Sequence, residues 1–130
     1  MNAETLILIG GLYNLALAVF HLLFWKLFNW KQDLASLTPL NRAVVQILNL
    51  CLTFVFLVFA YISFFHANEL LHSKLGRSLL ALMAIFWFLR AIEQIIFFGL
   101  RRKASIAFLI LFLIGTGLYS IPLIDQALRR

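Results

Sequence analysis

The chain has 130 residues, 64% of them hydrophobic and 12% charged, with a mean hydropathy of +1.00. A water-soluble domain of this length exposes too much surface to hide so much apolar area, so the composition excludes an ordinary soluble globule and makes the lipid bilayer the natural solvent. The net charge of +6, from 11 Lys and Arg against 5 Asp and Glu, falls mostly between apolar runs. Membrane topology and anionic lipid headgroups account for basic residues placed there, and no nucleic-acid partner is expected.

Four apolar segments follow one another, at residues 4–28, 39–65, 75–100 and 104–128. Each reaches the length of about 20 residues that carries a helix across a bilayer core. Short alternating strands of the kind a barrel needs are absent from the pattern, and in lipid a helix satisfies its own backbone. The first segment follows Met1-Asn2-Ala3-Glu4, which lacks a basic leader, and its apolar run is too long for a signal-peptide core. It is therefore expected to be retained. It ends in Trp25-Lys26 and Trp30-Lys31, which read as an interface belt with rings at headgroup depth.

In the first connection Trp30, Leu34 and Leu37 recur at helical spacing, so part of it is expected to lie flat in the interface. Thr38-Pro39 is a cap and first-turn pair for the second helix. Cys51, the single cysteine, excludes an internal disulfide and a cysteine-based zinc site, and reads as a small core residue. The second connection, residues 66–74, carries His66, Glu69 and His72. Their spacing is not the i,i+4 pattern of a helical zinc motif, and no metal site is expected. The third connection, around Arg101-Arg102-Lys103, is a tight turn. In the fourth segment Gly115-Thr116-Gly117 permits close helix contact or a local kink.

Links this short favour antiparallel neighbours, so the expected fold is all-α, one domain over residues 1–130, with four transmembrane helices in an up-down-up-down antiparallel bundle. One face carries Lys26, Lys31, Arg42, Arg101, Arg102 and Lys103; the other carries Lys74, Arg77, Arg129 and Arg130. The larger basic set marks the cytoplasmic side, which puts both termini on the non-cytoplasmic side of a plasma or inner membrane.

Polar residues inside the spans carry the functional signal. Helices rise about 1.5 Å per residue, so Gln94, Glu93 and Arg90 lie about 10–17 Å below Arg101. Gln46, Asn49 and Thr53 form one stripe about 6–17 Å below Arg42. His21 and Asn14 lie about 7 and 18 Å below Lys26. Three helices thus place polar groups in one half of the membrane. Charged side chains there cost about 2.5–3.5 kcal/mol each on insertion scales and are expected to face one another. Arg90 and Glu93, at i and i+3, can pair, and Trp87 can stack on the guanidinium.

This cluster of Arg90, Glu93, Gln94, Asn49, His21, Gln46, Asn14 and Trp87 admits more than one reading. As a site it would bind, and translocate, a small amphipathic or anionic molecule, with Glu93 as the titrating group. As structure it would be an ion pair with interhelical glue, in an accessory or scaffold subunit of a larger membrane complex. A membrane-embedded enzyme acting on a lipid-soluble substrate is the third reading. Four short helices enclose little volume, which favours a homo-oligomer or a larger membrane-protein partner. No catalytic triad, paired carboxylates or nucleotide fingerprint is present, and no cofactor is expected. Length and span number are similar to those of small multidrug transporters and membrane-embedded glutathione-type transferases, but no motif of either occurs. The transporters carry their essential acid within the first helix, and Glu4 stands at its edge.

Overall fold

A computed structural model describes residues 1–129; Arg130, counted above among the basic residues of one face, lies outside the described residues. The elements are α1 (Ala3–Leu22), α2 (Phe24–Leu27), α3 (Trp30–Asp33), a single 3-10 turn (Leu34–Ser36), α4 (Pro39–Phe65), α5 (Ala67–His72), α6 (Lys74–Phe98) and α7 (Lys103–Leu128). No strand occurs among the described residues. Four helices, α1, α4, α6 and α7, are long and apolar enough to cross a membrane.

Local chemistry sets most of the boundaries. The first N–H groups of a helix have no intrahelical acceptor, and a preceding Asn, Thr or Ser supplies one. Asn2 accepts from the Thr5 amide at 2.8 Å, Thr38 from Asn41 at 3.3 Å and Ser73 from Gly76 at 2.8 Å. Pro39 opens α4, where its missing N–H costs nothing. Gly99 ends α6 at φ 65, a left-handed conformation that a side chain would oppose.

The first span departs from its expected extent. One unbroken helix over 4–28 was the expectation; the helix stops at Leu22, resumes briefly as α2 and turns at Asn29, whose φ is 51. The cause lies on another helix. Asn49 of α4 donates to the His21 carbonyl at 3.0 Å, taking an acceptor that the helical ladder would otherwise use. A side chain inserted into that ladder is a recognised origin of a kink.

Contacts between the long helices run in opposite senses. On α1, Gly10 lies against Tyr119, Tyr13 against Gly115 and Phe20 near Phe108, so α7 numbering falls as α1 numbering rises. Likewise Gly11 lies against Ser63 and His21 against Asn49 of α4. On α6, Trp87 stacks on Phe112 of α7, and Gln94 bonds Ser105. Helix α1 therefore packs on both α4 and α7, and α7 packs on α6. Between α4 and α6 the approach is made by large rings: Phe56 and Phe59 meet Phe86 at 6.0 and 5.4 Å, and Phe56 meets Trp87 at 5.2 Å.

Gly115 lets three of these helices converge. A Cβ there would lie 2.7 Å from Tyr13 Oη, closer than carbon tolerates, and a tight 3.0 Å from Trp87 Cγ. The short α5 is not a loose connection. Its Ala67, Leu70 and Leu71 are buried against the ends of α1, α6 and α7. Cys51, read from the sequence as a core residue, is instead exposed on the outer face of α4. Its apolar neighbourhood in sequence is a surface that suits lipid, where position along the helix and not hydropathy decides what is inside.

Candidate ligand cavity

The helix breaks and the aromatic contact between α4 and α6 leave space. A cavity of about 1180 Å³ opens at the end of the molecule where α1 stops and α7 begins. Leu17, Phe20, His21, Phe24 and Phe28 line it from the first span, and Leu52 and Phe56 from α4. Phe86, Trp87, Arg90, Glu93, Gln94 and Phe97 come from α6, and Ser105, Phe108 and Phe112 from α7. Trp30, Asp33 and Leu34 close over it, brought there by the reversal at Asn29. Phenylalanine is the commonest residue in its walls, and the polar lining is His21, Asp33, Arg90, Glu93, Gln94, Arg102 and Ser105.

Arg90 is the half-buried cation of this cavity. Its Nη2 donates to Gln94 Oε1 at 3.2 Å, and its Cζ lies 4.4 Å over the Phe112 ring. A cation over a ring face is attracted by about 0.5–2 kcal/mol, which offsets only part of the desolvation of a full charge. The expected partner is not there. Glu93 is exposed, and the ion pairs among the described residues are His66–Glu69 and Asp125–Arg129. Arg90 and Glu93 face the cavity without forming an ion pair with each other. The geometry is a matter of rotamer and face: residues three apart on a helix diverge by about 60°, and here Glu93 turns to the mouth while Arg90 lies along Phe112. Trp87, expected to stack on the guanidinium, stacks instead on Phe56 and Phe112, and Phe112 takes the cation.

The remaining polar residues divide into separate groups. Gln94 is buried and donates through Nε2 to Ser105 Oγ at 3.0 Å; Ser105 donates in turn to the Gly99 carbonyl at 2.6 Å, tying α6 to α7 at their turn. His21 and Asn49 bridge α1 and α4. Asn49 Oδ1 accepts from His21 Nδ1 at 2.8 Å while its Nδ2 holds the His21 carbonyl. This fixes the ring, which stacks on Phe24 at 4.2 Å and lines the cavity, and Nε2 has no hydrogen bond among the described residues. Thr53 Oγ1 bonds the Asn49 carbonyl, continuing the stripe. Gln46 is not in the cavity: it accepts from Trp25 Nε1 at 2.9 Å near the Pro39 end of α4.

Asn14 also lies apart. It is fully buried and donates to the Gly10 carbonyl at 2.8 Å and to Tyr119 Oη at 2.7 Å; Tyr119 bonds Ser63 Oγ at 2.9 Å. This second network joins α1, α4 and α7 away from the cavity. Sequence reading had no route to it, because Tyr119 and Ser63 are common residues at no special spacing. It also missed the phenylalanines as a lining, which only the packing assigns. Among the described residues no group of three or more His, Cys, Asp or Glu is placed to hold a metal ion.

The chain matches no protein-family model, no curated protein and no solved structure. Fold and site together define a helical chain of membrane-spanning type, with buried polar side chains and an aromatic cavity that holds an arginine.

Proposed function

We propose that the four long helices stand in a bilayer as an up-down-up-down bundle, and that the cavity binds a small amphiphile with an apolar body and an anionic head. One observation carries this: Arg90 faces a phenylalanine-rich cavity, half-buried, with no carboxylate of the described residues within ion-pair distance. A buried charge left unpaired is expensive, and an acidic ligand removes that cost while its apolar body covers the rings. Few, well-placed polar groups in an otherwise apolar cavity is the usual form of a small-molecule site. Gln94 holds the guanidinium, and His21 Nε2 is free to meet a second head-group atom. The cavity of about 1180 Å³ has room for a single long chain. Among the exposed charges of its lining, Glu93 and Asp33 outnumber Arg102, which disfavours a dianionic head and favours a single negative charge, such as a carboxylate.

The test uses the tryptophan in the cavity wall. In a Trp25→Phe/Trp30→Phe background Trp87 is the remaining indole, since the chain has three tryptophans. Saturable quenching of Trp87 by dibromostearate is expected, with oleate competing and oleyl alcohol competing poorly. Arg90→Met weakens binding by roughly 10–100-fold, the worth of a charge-assisted hydrogen bond. Equal competition by acid and alcohol would refute the anionic head, and unchanged binding by Arg90→Met would refute the role of Arg90.

A further inference from the structure

A second concavity, of about 520 Å³, lies where α2, α3 and the start of α4 meet, and shares only Trp30 and Leu34 with the large cavity. Its charged lining is cationic throughout: Lys26, Lys31 and Arg42. Asp33, two residues beyond Lys31, lines the large cavity instead. None of the three cations takes part in an ion pair among the described residues.

The wall that carries them is braced. Arg42 donates through Nε to the Leu34 carbonyl at 2.8 Å, and through Nη2 to the carbonyls of Ala35 and Leu37 at 3.0 and 3.1 Å. Its Nη1 group makes no hydrogen bond among the described residues. Gln46 donates to the Arg42 carbonyl at 3.1 Å and accepts from Trp25 Nε1 at 2.9 Å, so indole, amide and guanidinium form one chain. Trp30 packs edge-on against Trp25 with ring centroids 5.1 Å apart. Arg42 is therefore held in place before any ligand arrives, with donors to spare. Two lysines beside it have no anion of their own.

We propose that this groove binds the phosphate of an anionic phospholipid in the surrounding leaflet. Lys26, Lys31 and Arg42 Nη1 supply the cationic donors, and the Trp25 and Trp30 rings cover the glycerol and upper acyl carbons. A phosphate takes charge-assisted hydrogen bonds from ammonium and guanidinium groups. The indoles argue for a lipid over free phosphate, because a bare ion leaves those apolar faces uncovered. The site stands independently of what occupies the large cavity.

The experiment is native mass spectrometry of detergent-solubilised protein titrated with phosphatidylglycerol, phosphatidylcholine or inorganic phosphate. One phosphatidylglycerol is expected to be retained, and phosphatidylcholine not at equal concentration. Lys26→Gln/Lys31→Gln is expected to weaken retention by roughly 30-fold, from about 1 kcal/mol for each basic residue at a membrane surface. Both side chains are exposed and bond nothing else, so the fold is expected to persist. Arg101→Gln/Lys103→Gln removes the same charge at the same end of the molecule but outside the groove. It is expected to change retention by less than about twofold. Equal losses in the two double variants would reduce the effect to general surface charge and overturn the site. Equal retention of phosphatidylcholine would overturn the anionic preference. Binding of inorganic phosphate with no phosphatidylglycerol retained would identify a free-phosphate site and overturn the lipid assignment.

Discussion

Tyr119→Phe tests the packing of the long helices at its tightest point. The side chain is 0% exposed, and its hydroxyl joins Asn14 of α1 at 2.7 Å to Ser63 of α4 at 2.9 Å. Deleting one oxygen therefore cuts two interhelical hydrogen bonds without changing the ring that fills the space. Such bonds between membrane helices average about 0.6 kcal/mol and reach about 1.7, so the pair is expected to be worth about 1–3 kcal/mol. Gly10 supplies a second handle on the same place. A Cβ added there would lie 2.7 Å from Tyr119 Cζ and 2.8 Å from its Oη, so Gly10→Ala must shift the ring and strain the Asn14 bond. With the hydroxyl already gone, one of those two clashes and the bond are both absent. Gly10→Ala is thus expected to cost less in the Tyr119→Phe background, with a coupling of at least about 0.5 kcal/mol. Detergent-driven unfolding in mixed micelles, followed by tryptophan fluorescence, measures all corners of the cycle. A Tyr119→Phe loss below about 0.3 kcal/mol, or two effects that simply add, would refute the network as a source of stability.

Arg90→Met in ligand-free protein is expected to lower unfolding free energy by less than about 2 kcal/mol, because no charge is orphaned and only the Gln94 Oε1 acceptor loses its donor; breaking a true buried ion pair costs about 3–5 kcal/mol, and a loss of that size would restore the ion-pair reading. Glu93→Gln, at an exposed and unpaired position, is expected to stay within about 0.5 kcal/mol of the parent in the same assay. Gly76→Ala places a Cβ against the Glu69 carbonyl and the Leu70 backbone, neither of which can rotate aside. It is expected to cost about 1–3 kcal/mol and to speed proteolysis across residues 66–73 as α5 lifts away. Ser105→Ala removes the bonds to Gly99 and Gln94 and is expected to cost about 1–2 kcal/mol, read as a lower thermal midpoint.

Much of this architecture is written in local signals. Apolar run lengths mark four membrane-length helices, and Thr38-Pro39 and Ser73 place helix starts through hydrogen bonds that a sequence can specify. Gly115 likewise marks a close helix contact, while its partners Tyr13 and Trp87 follow only from the packing. Three features escape such reading. The stop at Leu22 has no proline or glycine beside it; it follows from Asn49, 28 positions beyond His21, which reaches that carbonyl. The stripe of polar residues on α1 separates in space, His21 toward the cavity and Asn14 toward Tyr119, because different neighbours cover the two. Arg90 and Glu93 have the spacing of a pair, yet the nearer gain for the guanidinium is the Phe112 face and the Gln94 amide. In each case a long-range partner outranks a local preference, and nothing in the local sequence encodes that partner.

The central claim is that the cavity around Arg90 holds an acidic amphiphile. The most direct measurement is native mass spectrometry of protein extracted from its membrane in mild detergent, parent beside Arg90→Met. The account predicts a bound mass of a singly charged acid on the parent, absent from the variant, with both proteins folded. Two ligand-free spectra, or the same adduct on both, would contradict it and leave the arginine as an element of helix packing.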